Sequence, residues 1–365
     1  MNKFYVVCNT YYPNTAFSNR VFSFLRGFSE LGVDVEVVFL TPDSEMSKVQ
    51  ETYPHITFKY MWENLPFSNR IFNKFADEFY GWKFAWSLKP GDVVFLTNFG
   101  NVFFKVVKRK GVKVVHEKTE HPDVYSFKGF NVERYKREVV KVDGMFVIST
   151  ALKDYFVSCG LPKEKIEIVN MTVDSNRFVG LTKQPSEKYI AYCGTASNNK
   201  DGVDELIKSF AIVNKTHPEV KLYIIGKTPD KNDASGNLKL IENLGIVSAA
   251  DIPQILKNAA VLALDRPDSL QAQCGFPTKL GEYLLTENPV IVTKVGDIPL
   301  FLKDGETALL VEERNPKEFS SKIIWALEHP EEATEIGKAG AQVAMREFNY
   351  LNETKKIIDV INRLS

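Results

Sequence analysis

Three stretches of this chain place chemically capable side chains at suggestive spacings. The first is the turn Tyr192-Cys193-Gly194-Thr195-Ala196-Ser197-Asn198-Asn199-Lys200-Asp201-Gly202, which links a strand pattern to a helix pattern. Gly194 permits close backbone approach and Lys200 supplies a cation, a pairing that suits a phosphate; a plain loop is the alternative. The second is Gln271-Ala272-Gln273-Cys274-Gly275-Phe276-Pro277-Thr278-Lys279-Leu280-Gly281-Glu282-Tyr283-Leu284. A helix pattern starts near Thr278, so free amides and a positive helix end point toward the preceding turn. Glu282 lies about one turn inside, where a carboxylate can accept both hydroxyls of a ribose. A capped surface helix with a solvated Glu282 is the plainer reading. Arg266, just after the apolar run 260–264, is either a spare cation near this turn or half of a surface ion pair. The third stretch is Val115-His116-Glu117-Lys118-Thr119-Glu120-His121-Pro122, behind another apolar run. A histidine with two carboxylates at a strand's carboxyl end suits a functional contact or structural hydrogen bonds; a metal on His116, Glu117, Glu120 and His121 fits less well.

Several chemistries are excluded. The first strand runs into Cys8-Asn9-Thr10-Tyr11-Tyr12-Pro13 without the glycines that a dinucleotide-binding turn needs, which disfavours hydride transfer. Gly226-Lys227-Thr228 looks like the end of a phosphate-binding loop, but the residue five places earlier is Lys221, not glycine. No HExxH or GxSxG occurs. The 46 basic residues balance 46 acidic ones, which argues against nucleic acid as the main partner. The four cysteines (Cys8, Cys159, Cys193, Cys274) lie far apart, without zinc spacing or a disulfide framework, and fit a reducing compartment.

The elements that must position these residues read as α/β. Apolar runs at 3–8, 33–40, 92–96, 112–116 and 143–148 alternate with helical patterns, as in parallel sheets with helices on both faces. The segment 176–188 loses this periodicity and reads as a linker; strand runs resume at 189–193, 221–225, 260–264 and 289–293. Two doubly wound domains follow, 1–175 and 189–349. An apolar stripe on the helix 350–364 needs a partner surface, expected on the first domain. In such sheets ligands bind beyond the carboxyl ends of the strands.

In this order the motifs resemble those of a GT-B glycosyltransferase of the large retaining family 4, over essentially the whole chain. Val169-Asn170-Met171-Thr172-Val173-Asp174 with Phe178 resembles the family's pNGVD…F. Gly194…Lys200-Asp201-Gly202 resembles its phosphate turn, 220–226 its vkLvivG strand, and Pro277-Thr278-Lys279-Leu280-Gly281-Glu282-Tyr283-Leu284 its P.KL.EYla donor motif. Val295-Gly296-Asp297-Ile298-Pro299 matches the turn after the next strand. Two departures stand out. Thr195 replaces the usual Arg, and Cys274 replaces the first of two glutamates eight positions apart.

The resemblance implies two Rossmann-like domains facing a cleft, and transfer of a sugar from a UDP- or GDP-sugar to a glycan or lipid-linked acceptor with retention. It implies a role in surface polysaccharide synthesis. Donor contacts then fall on Gly194, Thr195, Lys200, Arg266, Gln273, Cys274, Gly275, Phe276, Pro277, Thr278 and Glu282. Lys200 and the Gly275 and Phe276 amides would stabilise the departing diphosphate, and His116 would lie beside the transferred sugar. Asn14, Thr15, Glu117 and Glu120 are acceptor candidates. No metal and no cofactor are expected. A non-catalytic subunit of a glycan-assembly complex is the alternative that the two departures motivate.

No run reaches the length of a membrane span, so a cytoplasmic chain is expected, with peripheral contact at the inner face of the membrane as a further reading. The aromatic-rich stretch 67–86 is either a core-facing helix pair or an interfacial surface. Residues 101–141 carry eleven basic side chains against five acidic ones, which suits anionic headgroups or a solvated helix face.

Overall fold

The computed structural model describes residues 2–8, 16–40, 53–62, 70–97, 101–128, 131–195, 200–227 and 240–364. Asn14 and Thr15 lie outside these residues, as do 196–199 of the phosphate turn. The chain divides into two units. One comprises Met1–Asn170 and Tyr350–Ser365, the other Met171–Asn349.

The first unit holds a parallel seven-stranded sheet. Its strands are β1 (Phe4–Cys8), β2 (Val35–Phe39), β3 (Ile56–Tyr60), β4 (Val93–Leu96), β5 (Lys113–Lys118), β6 (Gly144–Val147) and β7 (Ile166–Ile168), in the spatial order 3-2-1-4-5-6-7. Its helices are α1 (Ala16–Glu30), α2 (Arg70–Ser87), α3 (Asn101–Val106), α4 (Val132–Val139), α5 (Thr150–Ser158) and, from the far end of the chain, α13 (Tyr350–Leu364). Central strands such as β4 (Val-Val-Phe-Leu) are apolar throughout because both faces are covered. β3 (Ile-Thr-Phe-Lys-Tyr) sits at the edge and alternates, with one face toward water. α13 packs on α1 and contributes Ile357, Val360 and Ile361 to the core beside Leu25 and Phe28. Gly27 permits the close approach: a β-carbon there would collide with Thr354.

The second unit holds a six-stranded parallel sheet of β8 (Tyr189–Cys193), β9 (Lys221–Ile225), β10 (Ile241–Gly245), β11 (Val261–Leu264), β12 (Val290–Thr293) and β13 (Leu309–Val311), ordered 10-9-8-11-12-13. Around it lie α6 (Val203–Val213), α7 (Ile252–Asn258), α8 (Leu270–Cys274), α9 (Thr278–Leu285), α10 (Ile298–Phe301), α11 (Pro316–Glu328) and α12 (Pro330–Glu347). Asn315 caps α11 by accepting the Glu318 amide, with Pro316 in the first turn.

The segment 176–188 is not a free linker. The chain leaves the first unit at Asn170–Met171, and 176–188 is held on the second. Arg177 pairs with Glu282, Lys183 Nζ donates to Asn288 Oδ1 at 3.0 Å, and the Gln184 amide donates to Asn258 Oδ1 at 2.9 Å. Polar side chains make these contacts, so the hydrophobic pattern carried no trace of them.

Candidate functional site

Sheet order singles out one place in the second unit. The connections reverse direction between β8 and β11, which opens a crevice at the carboxyl ends of those strands. Gly194 follows β8; Asp265 and Arg266 follow β11. Gly226, after β9, has φ 116° and lies so close to Gly194 that a β-carbon would strike its carbonyl. Two glycines thus keep the floor of the crevice low.

Over Gly194 lies the ammonium of Lys279, carried by the first turn of α9. A β-carbon on Gly194 would collide with it. Lys279 Nζ donates to Asp201 Oδ2 at 2.5 Å and to Tyr192 Oη at 3.2 Å, and sits 4.7 Å from the Tyr192 ring. The Tyr192 hydroxyl donates to the same Asp201 oxygen at 2.9 Å. Arg266 approaches the other oxygen, with Nη1 3.7 Å from Asp201 Oδ1. Burial lowers the pKa of Lys279 and of Arg266, and Asp201 opposes the shift in both. Burial, with the carboxylates of Glu205 and Asp201, pushes Asp265 up to about 7. Two cations therefore share one carboxylate in a poorly solvated place. Arg266 Nε and Asp201 Oδ1 are buried without a hydrogen-bond partner among the described residues. Such orphaned polar atoms mark a spot suited to a polar ligand.

Glu282 follows one turn along α9. Its Oε1 accepts from Arg177 Nη1, while Arg177 Nη2 donates to the Ala249 carbonyl at 2.7 Å. Burial raises the Glu282 pKa and Arg177 counters it. Gly281 lets α9 approach Met171 and Val173, whose side chains occupy the space of a β-carbon.

The other expected donor residues divide. Thr195 is exposed and Lys200 half-buried beside this cluster, but the ammonium over Gly194 belongs to Lys279. Gln273 is engaged at both ends of its amide: Nε2 donates to Asp268 Oδ1 at 2.7 Å, and Oε1 accepts from the Gly296 amide at 3.1 Å. The Gly275 amide donates to the Gln271 carbonyl at 3.1 Å, closing α8, and so is not free for an anion. Phe276 packs on Phe301 and Phe348. Cys274 is buried, which raises its pKa. Thr278 and Lys279 stand in the first turn of α9 behind Pro277, where no side chain caps the helix. Their amides have no intrahelical acceptor.

His116 is turned into the interior of the first unit. β5 continues two residues past it, so His116 lies inside the strand and is fully buried. Nδ1 meets the Leu96 carbonyl at 2.9 Å and Nε2 the Tyr135 hydroxyl at 2.8 Å, beneath Phe103. Burial and nearby Lys118 lower its pKa to about 3. Glu117 is buried against Arg20, whose Nε lies 2.9 Å from Oε1. The remaining Arg20 nitrogens donate to the carbonyls of Val169 and Asn170 at 2.8 and 2.6 Å. Glu120 accepts from Tyr125. Between these carboxylates, Lys118 is buried beside the Tyr125 ring, and burial brings its pKa down to about 7. Among the described residues no cluster of three His, Cys, Asp or Glu side chains suits a metal ion.

Superposed on solved structures, the whole chain matches HepE of Anabaena in complex with UDP, with a TM-score of 0.74 at 15% identity over 99% of this chain and 100% of that one. The chain has the GT-B fold of the glycosyltransferases. Within this GT-B chain, residues 187–329 match the model of the family described as Glycosyl transferases group 1. Trehalose synthase of Thermococcus litoralis is 27% identical over 175 residues, covering 44% of this chain and 41% of that protein. D-inositol 3-phosphate glycosyltransferase of Segniliparus rotundus is 26% identical over 197 residues, covering 50% and 44%. The GT-B chain thus spans somewhat less than half the length of these relatives.

Proposed function

We propose that the protein is a glycosyltransferase that moves a sugar from a nucleotide-diphosphate donor, UDP- or GDP-linked, to a glycan or lipid-linked acceptor with retention of configuration. One observation carries this reading: Lys279 and Arg266 converge on Asp201 above Gly194, at the switch point of the second sheet. HepE, which shares the fold, was solved with UDP, and with UDP-glucose.

In this reading the diphosphate lies between Lys279 and the first turn of α9. Its oxygens satisfy the orphaned Arg266 Nε, and Lys279 moves from Asp201 to phosphate. Negative charge grows on the β-phosphate as the glycosidic bond breaks, and fixed cations in a dry site stabilise that charge. Glu282, held by Arg177, accepts the ribose hydroxyls. A departing phosphate oxygen takes the acceptor proton, so no strong protein base is needed, in keeping with the buried state of His116. Lys279 supplies the cation that Thr195 lacks, which weakens the case for a non-catalytic subunit. Cys274 still supports that case. Titration calorimetry with UDP, GDP and uridine, followed by transfer assays with nucleotide sugars, tests the proposal. Binding of neither diphosphate overturns it; binding without transfer to any acceptor favours the non-catalytic reading.

A further inference from the structure

α2 leaves much of its aromatic content in water. Among its described residues Ala76, Gly81 and Ala85 are buried, with Gly81 against Val102, and the half-buried Phe84 and Tyr80 pack on Tyr5 and Trp62. Its outer face carries Phe75, Phe79, Trp82 and Trp86, spaced by four, three and four residues and so aligned in one stripe. These side chains are 72%, 64%, 53% and 61% exposed. Trp82 and Trp86 stack on each other with centroids 5.1 Å apart. A continuous row of large aromatics in water marks an interaction surface.

The charges around the stripe narrow the partner. Arg109 lies over the Trp86 ring at 5.3 Å, Lys83 is exposed on α2 itself, and Lys89 is exposed just beyond its end. Lys108, whose ammonium lies 4.0 Å from Glu138, and Lys110 flank Arg109 and are exposed. From Phe75 to Lys110 the acidic residues are Asp77, Glu78, paired with Lys105, and Asp92, which is buried, against the basic Lys83, Lys89, Lys105, Lys108, Arg109 and Lys110. The rim is therefore positive. A second copy docking on this face about a two-fold axis would set the same positive rim against itself. An anionic bilayer offers the complement: headgroups for the lysines and Arg109, and the acyl boundary for Phe and Trp, residues that favour that depth.

We propose that α2 is an interfacial helix that seats the first unit on anionic lipid through Phe75, Phe79, Trp82 and Trp86. This does not rest on the donor reading, and its test requires no nucleotide. The full chain is sedimented with vesicles of phosphatidylcholine alone, or of phosphatidylcholine mixed with phosphatidylglycerol. The wild-type chain should partition onto the mixed vesicles, with a blue shift of tryptophan emission and quenching by brominated acyl chains. Replacing all four aromatics by Ser should lower partitioning at least tenfold. Each of Lys83→Glu and Lys89→Glu should lower it about fivefold or more, on mixed vesicles only. Thermal midpoints near wild type for these surface variants would separate lost binding from lost folding. Absence of wild-type partitioning onto the mixed vesicles, or equal partitioning onto phosphatidylcholine alone, overturns the proposal. So does a concentration-dependent dimer, seen by light scattering, that the Ser variant abolishes.

Discussion

At the residue scale the second unit turns on Lys279. Its neighbours suit a phosphate and not a nucleoside, which separates two effects of its removal. Lys279→Ala should weaken UDP or GDP binding by about 1.5–3 kcal/mol, the worth of a hydrogen bond to a charged group, and leave uridine affinity unchanged. Calorimetry with both ligands checks this; equal losses would mean a collapsed site. His116 makes a prediction of the opposite kind, about stability. Its folded pKa of about 3 lies below the ordinary histidine value. Between the two values the unfolded chain binds the extra proton and the folded chain does not, so stability is full above about pH 6.5 and falls as pH drops toward 3. Between pH 7 and pH 5 the loss from this one group is roughly 2 kcal/mol. Urea unfolding of wild type and His116→Gln at both pH values measures it. The variant is less stable at pH 7, but its stability should depend less on pH.

At the scale of elements, Gly27 governs how α13 meets α1. In Gly27→Ala the new methyl runs into Thr354, a side chain fixed by its own bond to the Tyr350 carbonyl at 2.8 Å. Overpacking of this kind costs about 1–3 kcal/mol. Gly27→Ala with Thr354→Gly should be less destabilised than the sum of the single changes, because the two sites are in contact. Which elements were legible in the sequence follows from their surroundings. Strands buried on both faces announce themselves as apolar runs, and β8 and β9 fall on the residues expected. β3, β7, β10 and β13 escaped: β3 and β10 are edge strands of mixed polarity, and β7 and β13 are three residues long. The apolar run 112–116 stops short of the end of β5, where charged residues follow. Glu117 continues the strand because Arg20, distant in sequence, supplies its counter-charge. The strand end before Gly194 and the helix that carries Glu282 were legible from local turn and helix chemistry. Lys279 lay inside a quoted motif, yet its position over Gly194 depends on the packing of α9 against β8, which no local pattern encodes.

At the scale of the whole molecule, the donor candidates lie in the second unit while α13 belongs to the first. A chain ending at residue 349 loses Ile357, Val360 and Ile361 from the first core, each worth about 1.5–3 kcal/mol of burial. Calorimetry should show the first unit melting earlier, and UDP should still raise the melting of the second. Loss of the UDP effect would mean that the donor site needs the first unit. Each unit also ties its own cut ends together. In the first, the Asn170 amide donates to Glu353 Oε2 at 2.6 Å; in the second, the Val173 amide donates to the Phe348 carbonyl at 3.0 Å. In topological terms the second unit is an insertion into a loop of the first, with entry and exit side by side. Closing so narrow a gap costs little chain entropy. A gene joining residue 170 to residue 350 through a short glycine-serine bridge would encode the first unit whole, and one for 171–349 the second, whose new amino end would start at the buried Met171 and so calls for a few added residues ahead of it.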